Sequence, residues 1–254
     1  MDTNGSDKKR VLIGGISGGM GSILAKRLAA CGWSVAGYAR NADKLRKLKA
    51  EVEGTHTFTA DARDSEAVNE VFEAAIERLG GLDGYVHCIG SILLKPAHLL
   101  KDEEWHETVN LNLNTAFYGL RAAVTHMQRN GGGSIVMMST VAARTGIPSH
   151  EAIAAAKSGL HGLMRSAAAT YANRNIRVNL VAPGLTETPL SKPVINTEQA
   201  REFSEKMHPL GRIAQPEEVV ATIAHLLAPE SSFITGQIYS VDGGLSTLHQ
   251  RTRG

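Results

Sequence analysis

Two cysteines, Cys31 and Cys88, are all that a chain of 254 residues contains, and they stand in no metal-ligand spacing. A disulfide framework and a zinc site are therefore not expected, and a reducing cytoplasmic location is. No run of about 18 apolar residues occurs that could span a bilayer, and the opening "MDTNGSDKKR" is polar, so neither membrane insertion nor secretion is expected. A charge excess is missing too: the formal net charge is +2 with basic residues scattered, which argues against a nucleic-acid partner. Internal repeats and low-complexity tracts are absent. The histidines at 56, 98, 106, 126, 161, 208, 225 and 249 lack metal spacing and read as surface or packing residues.

What is present is an alternation. Short β-rich runs, beginning with "RVLIGG" and "SVAGYA" and ending with "GQIYSVDGG", are separated by segments of helical period. The pattern predicts an α/β, Rossmann-type doubly wound parallel sheet of seven strands, with helices on both faces and a ligand beyond the strand carboxyl ends. One domain over 1–254 is expected. The first eight residues read as a flexible tail. "GMGSILAKRLAACG" should be a helix closed by Gly32, and "EEWHETVNLNLNTAFYGLRAAVTHMQRN" one long helical region. Residues 186–209 carry three prolines and an amphipathic piece, "TEQAREFSEKMH", and read as a substrate lid.

The first strand runs into "GGISGGMGS", which sets Gly15, Gly19 and Gly21 between strand and helix. Glycines there let the backbone turn tightly and approach a pyrophosphate, which the helix N-terminus favours. A merely tight turn is the bland alternative. After the second strand stands Arg40, where an NAD-preferring site would hold an acid; a guanidinium can take a 2′-phosphate in a bidentate grip, which favours NADP (NADPH).

These residues, together with "TADA", "NLNTAF", "VAPG" and "PLGRIAQPEEV" through "TGQIYSVDGG" in order and spacing, resemble the short-chain dehydrogenase/reductase family over nearly the whole chain. The resemblance implies an NADP-dependent oxidoreductase acting on a small organic substrate. It also implies a homo-oligomer, tetramer or dimer, packed through the two long helices after the fourth and fifth strands. It places Asp61 at the adenine and Pro183 and Gly184 beside the cofactor, and it assigns Ser17, Met20, Ala62, Gly90 and Thr188 to the cofactor as well. Of the family's catalytic group, an Asn, a Ser, a Tyr and a Lys, Asn112 and Lys157 match directly, and Lys157 also meets the cofactor ribose. The serine position is Thr140, with Ser139 beside it, and the tyrosine position is Ile153, which transfers no proton. Two further departures are "HCIG", His87 to Gly90, where the family has N-N-A-G, and Gly14 where it has threonine.

Without a positioned acid, reduction of a neutral ketone loses about 100- to 10,000-fold in rate. Three readings follow. Another acid has taken over: His150, one helical turn before Ile153, or, with a weaker case, His87. Otherwise the substrate arrives activated, as an imine or conjugated alkene, or the protein binds NADP without turnover as a regulatory or scaffold subunit. A pocket wall or surface residue is the bland alternative for His150. Glu151 is expected to favour the helix N-terminus by its charge.

Overall fold

The computed structural model describes residues 8–249. Apart from Lys8, the tail expected at the N-terminus lies outside the described residues. The strands are β1 (Arg10–Gly14), β2 (Ser34–Ala39), β3 (His56–Thr59), β4 (Gly84–His87), β5 (Gly133–Met138), β6 (Ile176–Pro183) and β7 (Ile238–Val241). They form one parallel sheet in the order β3-β2-β1-β4-β5-β6-β7. The order reverses between β1 and β4, so the carboxyl ends of these two strands open the crevice in which a doubly wound sheet takes its ligand.

Helices cover both faces. On one side α3 (Ser65–Leu79), α5 (Thr115–Met127) and α6 (Glu151–Tyr171) pack against Leu12, Tyr85, Ile135 and Leu180. On the other, α1 (Gly19–Ala30), α2 (Ala42–Glu51) and α8 (Pro216–Leu227) pack against Val11, Ile13, Val86 and Val136. Alternate residues of β1 thus enter opposite cores, and Val11, Leu12 and Ile13 are all 0% exposed. A strand buried on both faces reads as a continuous apolar run, as "VLI" does.

Local chemistry sets the helix ends. The α1 helix closes where Gly32 takes φ +84° and its N–H reaches the Ala29 carbonyl. Asp64 caps α3 by accepting from the amides of Glu66 and Ala67, and Gly80 at φ +74° ends it. Pro216 opens α8, where its missing N–H costs nothing.

The long helical region is present without a break over 102–127, with one irregularity inside it. The helix α4 (Asp102–Val109) passes through a π-turn at Asn110–Asn114 into α5. A single inserted residue barely disturbs the apolar periodicity, and so leaves no break in the pattern. Residues 186–209 hold a short 3-10 turn (Lys192–Ile195) and α7 (Glu198–Met207). Their start is pinned by a bridge between Thr186 and Ala214 and by Ser191, whose Oγ donates to the Thr186 carbonyl at 2.5 Å.

Candidate functional site

A single cleft of about 890 Å³ runs along the carboxyl edge of the sheet. Of the residues assigned to catalysis or cofactor from the sequence, all but Gly21 and His87 line it. Gly21 is not on the wall. A Cβ there would lie 2.3 Å from the Gly15 carbonyl oxygen, so its part is to let α1 pass against the turn that carries the other glycines.

At the β1 end the wall is largely backbone. Gly15 turns the chain at φ +79°, and the first amides of α1 point outward with no acidic side chain in the first turn to repel an anion. Cβ atoms at Gly19 and Gly90 would press on Thr188 and on the Asn112 carboxamide, so these glycines keep the cradle open. Arg40 is exposed on this wall, and Lys44 joins it from the first turn of α2. Asp61 is held by Arg63, whose guanidinium donates to both carboxylate oxygens (Nη2 to Oδ2 at 2.6 Å) and keeps the carboxyl below its usual range. Arg63 reaches on to Glu107 at 2.9 Å. Neither Lys44 nor Arg63 was expected, although Arg63, two residues from Asp61, left a local signal.

The π-turn delivers Asn112, which is fully buried. Its Nδ2 donates to the Thr108 carbonyl and to Ser91 Oγ, both at 2.9 Å, and its Oδ1 accepts from the Ser91 amide at 3.0 Å. From α6, Lys157 places Nζ 2.8 Å from the Met138 carbonyl, and burial lowers its pKa to about 8. Thr140 Oγ1 accepts from the Ala142 amide, which leaves its own proton to donate. Ile153, 5% exposed, contributes only hydrocarbon to the wall.

His150 stands immediately before α6 at a strained corner. Ser149, a non-glycine residue, takes φ +62° and its carbonyl accepts from Lys95 at 2.7 Å. His150 Nδ1–H donates to the Pro148 carbonyl at 2.7 Å, so Nε2 is the nitrogen without a protein partner among the described residues. Glu151 accepts from the Ala97 amide at 3.3 Å, tying this corner to the segment before α4.

His87 does not line the cleft and is set aside as an acid. It is 0% exposed, and burial, with the Lys157 charge second, pushes its pKa down to about 3. It belongs to a buried chain that starts at Tyr38. Tyr38 Oη and Tyr85 Oη lie 3.2 Å apart, Tyr85 Oη meets His87 Nδ1 at 2.9 Å, His87 Nε2 meets Thr115 Oγ1 at 3.1 Å, and Thr115 donates to the Leu111 carbonyl at 2.8 Å. The last bond fixes the direction of the rest: His87 carries Nε2–H, and Nδ1 accepts from Tyr85. The chain ends on the π-turn, one residue from Asn112. It also accounts for Gly14, where a Cβ would sit 2.9 Å from Tyr38 Oη.

Two other histidines, expected as surface or packing residues, are packed. His208, 2% exposed, lines the cleft; its Nδ1–H donates to the Ser204 carbonyl at 2.7 Å, and its Nε2 accepts from the Leu185 amide at 3.2 Å, tying α7 to the end of β6. His161 Nε2 meets Ser139 Oγ at 2.8 Å beside Thr140. Among the described residues no His, Cys, Asp and Glu cluster could hold a metal ion, and no helix is long and apolar enough to cross a membrane.

Comparison with known proteins agrees with this architecture. The family described as "Enoyl-(Acyl carrier protein) reductase" matches residues 15–246. The chain is 33% identical over 244 residues to 3beta-hydroxysteroid dehydrogenase 1 of Eggerthella lenta, covering 94% of each. It is 35% identical over 243 residues to a 3-oxoacyl-(acyl-carrier-protein) reductase of Thermotoga maritima, covering 93% of this chain and 97% of the relative. A solved actinorhodin polyketide ketoreductase variant with NADPH superposes with a TM-score of 0.91 at 28% identity, covering 95% of this chain and 98% of that one. A parallel seven-stranded sheet, a glycine turn at its switch point and these relatives over almost the full length together show that the chain belongs to the short-chain dehydrogenase/reductase family of oxidoreductases.

Proposed function

We propose that the chain is an NADP(H)-dependent reductase of a small organic carbonyl or conjugated alkene, in which His150 supplies the proton that a tyrosine at position 153 would otherwise give. One observation carries the reading: His150, with Nε2 free, shares a cleft with Lys157, Asn112 and Thr140. The glycine cradle, the acid-free α1 N-terminus and the Arg40 and Lys44 cations fit a phosphorylated dinucleotide. NADPH held there would supply the hydride.

The side chains divide the remaining work. Thr140 gives a hydrogen bond from its hydroxyl to the substrate oxygen, keeping its proton, and fixes that oxygen's position. Lys157 places a cation next to the developing oxyanion and has donors left for ribose hydroxyls, since Met138 takes only one. Asn112, with its carboxamide tied on three sides, holds Ser91, in the segment after β4, beside the cofactor cradle. His150 completes the reduction by protonating oxygen or, for an alkene, the adjacent carbon. The Pro148 carbonyl stabilises the imidazolium through Nδ1–H, so the proton available for transfer is the one on Nε2.

The test begins with fluorescence titration of NADPH and NADH, NADPH being expected to bind more tightly. With a turned-over ketone or enone, His150→Gln should lower kcat by about 100-fold or more and leave NADPH affinity within twofold. An unchanged kcat removes His150 from the chemistry. Binding of neither nucleotide removes the reductase reading altogether.

A further inference from the structure

Helix α6 grips the end of β5 through a side chain that has no part in the chemistry described so far. Ile153, Lys157 and His161 follow one another at four-residue steps, so they form one row along a buried face of the helix. The row meets successive residues of the chain. Lys157 Nζ donates to the Met138 carbonyl at 2.8 Å, and His161 Nε2 meets Ser139 Oγ at 2.8 Å. The next residue is Thr140. Just beyond it Ser158 Oγ, also from α6, donates to the Ala143 carbonyl at 3.3 Å.

The Ser139–His161 pair is interior, Ser139 being 4% exposed and His161 9%. Two polar groups brought out of water in this way gain little over an apolar pair of similar shape, so stability alone does not call for them. Burial, and after it the charges of Arg165 and Arg144, hold the His161 pKa below its usual value, which leaves the imidazole neutral at pH 7. A hydroxyl both donates and accepts, so the bond forms with either tautomer.

The backbone shows what the pair controls. The Ser139 amide donates to the Val181 carbonyl of β6 at 2.8 Å, and Thr140 is extended at φ −154° and ψ 153°. Along such a backbone consecutive side chains leave on opposite sides. Both residues border the cleft, but Ser139 spends its hydroxyl on His161, whereas Thr140 keeps its own proton for a ligand. We propose that His161 is a positioning residue: through Ser139 it fixes the rotation of the chain at the end of β5 and so aims the Thr140 hydroxyl at the substrate oxygen. This rests on the reductase reading above, in which Thr140 makes that contact. Displacing a substrate-positioning group by about 1 Å can cost on the order of 100-fold in rate. Nucleotide affinity, set mainly at the β1 end of the cleft, should stay as it is.

The experiment separates aim from support. A panel of cyclic ketones and enones, cyclohexenone among them, is screened by NADPH oxidation, and the fastest substrate is used for every variant. His161→Leu leaves a buried hydroxyl without a partner and should lower both the denaturant midpoint and kcat. Adding Ser139→Ala removes that orphan, so the double variant should regain most of the midpoint. Its kcat should nonetheless stay at least tenfold below wild type, with NADPH affinity by fluorescence titration within twofold. His161→Gln, whose terminal amide reaches about as far as Nε2, should keep kcat within threefold of wild type. A double variant that regains kcat together with its midpoint overturns the proposal, because support is then all that the pair supplies. If the double variant fails to fold, Ser139→Ala and His161→Gln decide: a slow alanine variant beside a fast glutamine variant upholds the aim, and equal rates overturn it. No turnover of any panel member by the wild type overturns the reductase reading, and the role of His161 falls with it, whereas wild-type turnover that the variants leave unchanged overturns the role of His161 alone.

Discussion

At the β1 end of the cleft the chain offers backbone, with glycines cleared of side chains and a helix N-terminus free of acidic residues, whereas the start of α6 and the helix α7 offer side chains, with His150 on a strained corner and His208 at the end of α7. On the proposed reading the first end holds the nucleotide by backbone geometry, and at the second the side chains decide what enters. A substitution at a glycine of the first end should thus act on nucleotide affinity and stability together, an exposed cation there on nucleotide affinity alone, and a side chain of the second end on substrate binding and turnover.

Ile153→Tyr would break this division most visibly. If the missing proton donor is all that separates the cleft from ordinary ketone reduction, the variant should raise kcat on simple ketones by about 100-fold or more, with NADPH affinity unchanged. An unaltered rate, measured by NADPH oxidation, would show that the wall itself has been reshaped. Gly21→Val tests the opposite end. With a Cβ 2.3 Å from the Gly15 oxygen, α1 must move, and both NADPH binding and about 2 kcal/mol or more of stability should be lost, as read by titration and denaturant unfolding. Arg40→Glu should leave the fold alone and weaken NADPH relative to NADH by about tenfold, roughly one charge-assisted contact.

A further effect, read in stability alone, concerns Lys157. Burial lowers its pKa from 10.5 to about 8, so the unfolded chain holds this proton more tightly than the folded one. The destabilisation is complete below pH 8 and is relieved as pH rises from about 8 to about 10.5. Lys157→Met should accordingly unfold at higher denaturant than the wild type at pH 7, by an amount on the order of 2 to 3 kcal/mol, and this advantage should shrink above pH 8. A gap that stays constant to pH 10.5 would mean that the lysine keeps its charge without cost in the fold.

Much of the fold was readable because its signals are local. The strand runs, the stop at Gly32, the start at Pro216 and the glycine turn each involve neighbours in sequence. The site was readable as a set of positions, and less so as a set of contacts. The Tyr38–Tyr85 and Tyr85–His87–Thr115 bonds join residues far apart in the chain or on different elements, so a histidine in "HCIG" looked like a departure near the cofactor when it is a buried connector. His208 was hidden for the same reason, its acceptor and donor being backbone groups of α7 and of Leu185. Asn112 was legible, but the π-turn that aims it was not, since an extra helical residue leaves no compositional trace.

The contact between Gly14 and Tyr38 bears on how this chain can be altered. A threonine at position 14 alone would drive its side chain into the Tyr38 ring, whose Cζ and Cε1 lie 3.1 and 3.2 Å from the missing Cβ. Removing Tyr38 alone would leave Tyr85 and His87 without the first donor of their chain. Positions 14, 38 and 87 are therefore coupled through Tyr38 and Tyr85, and a side chain added at 14 calls for a smaller one at 38.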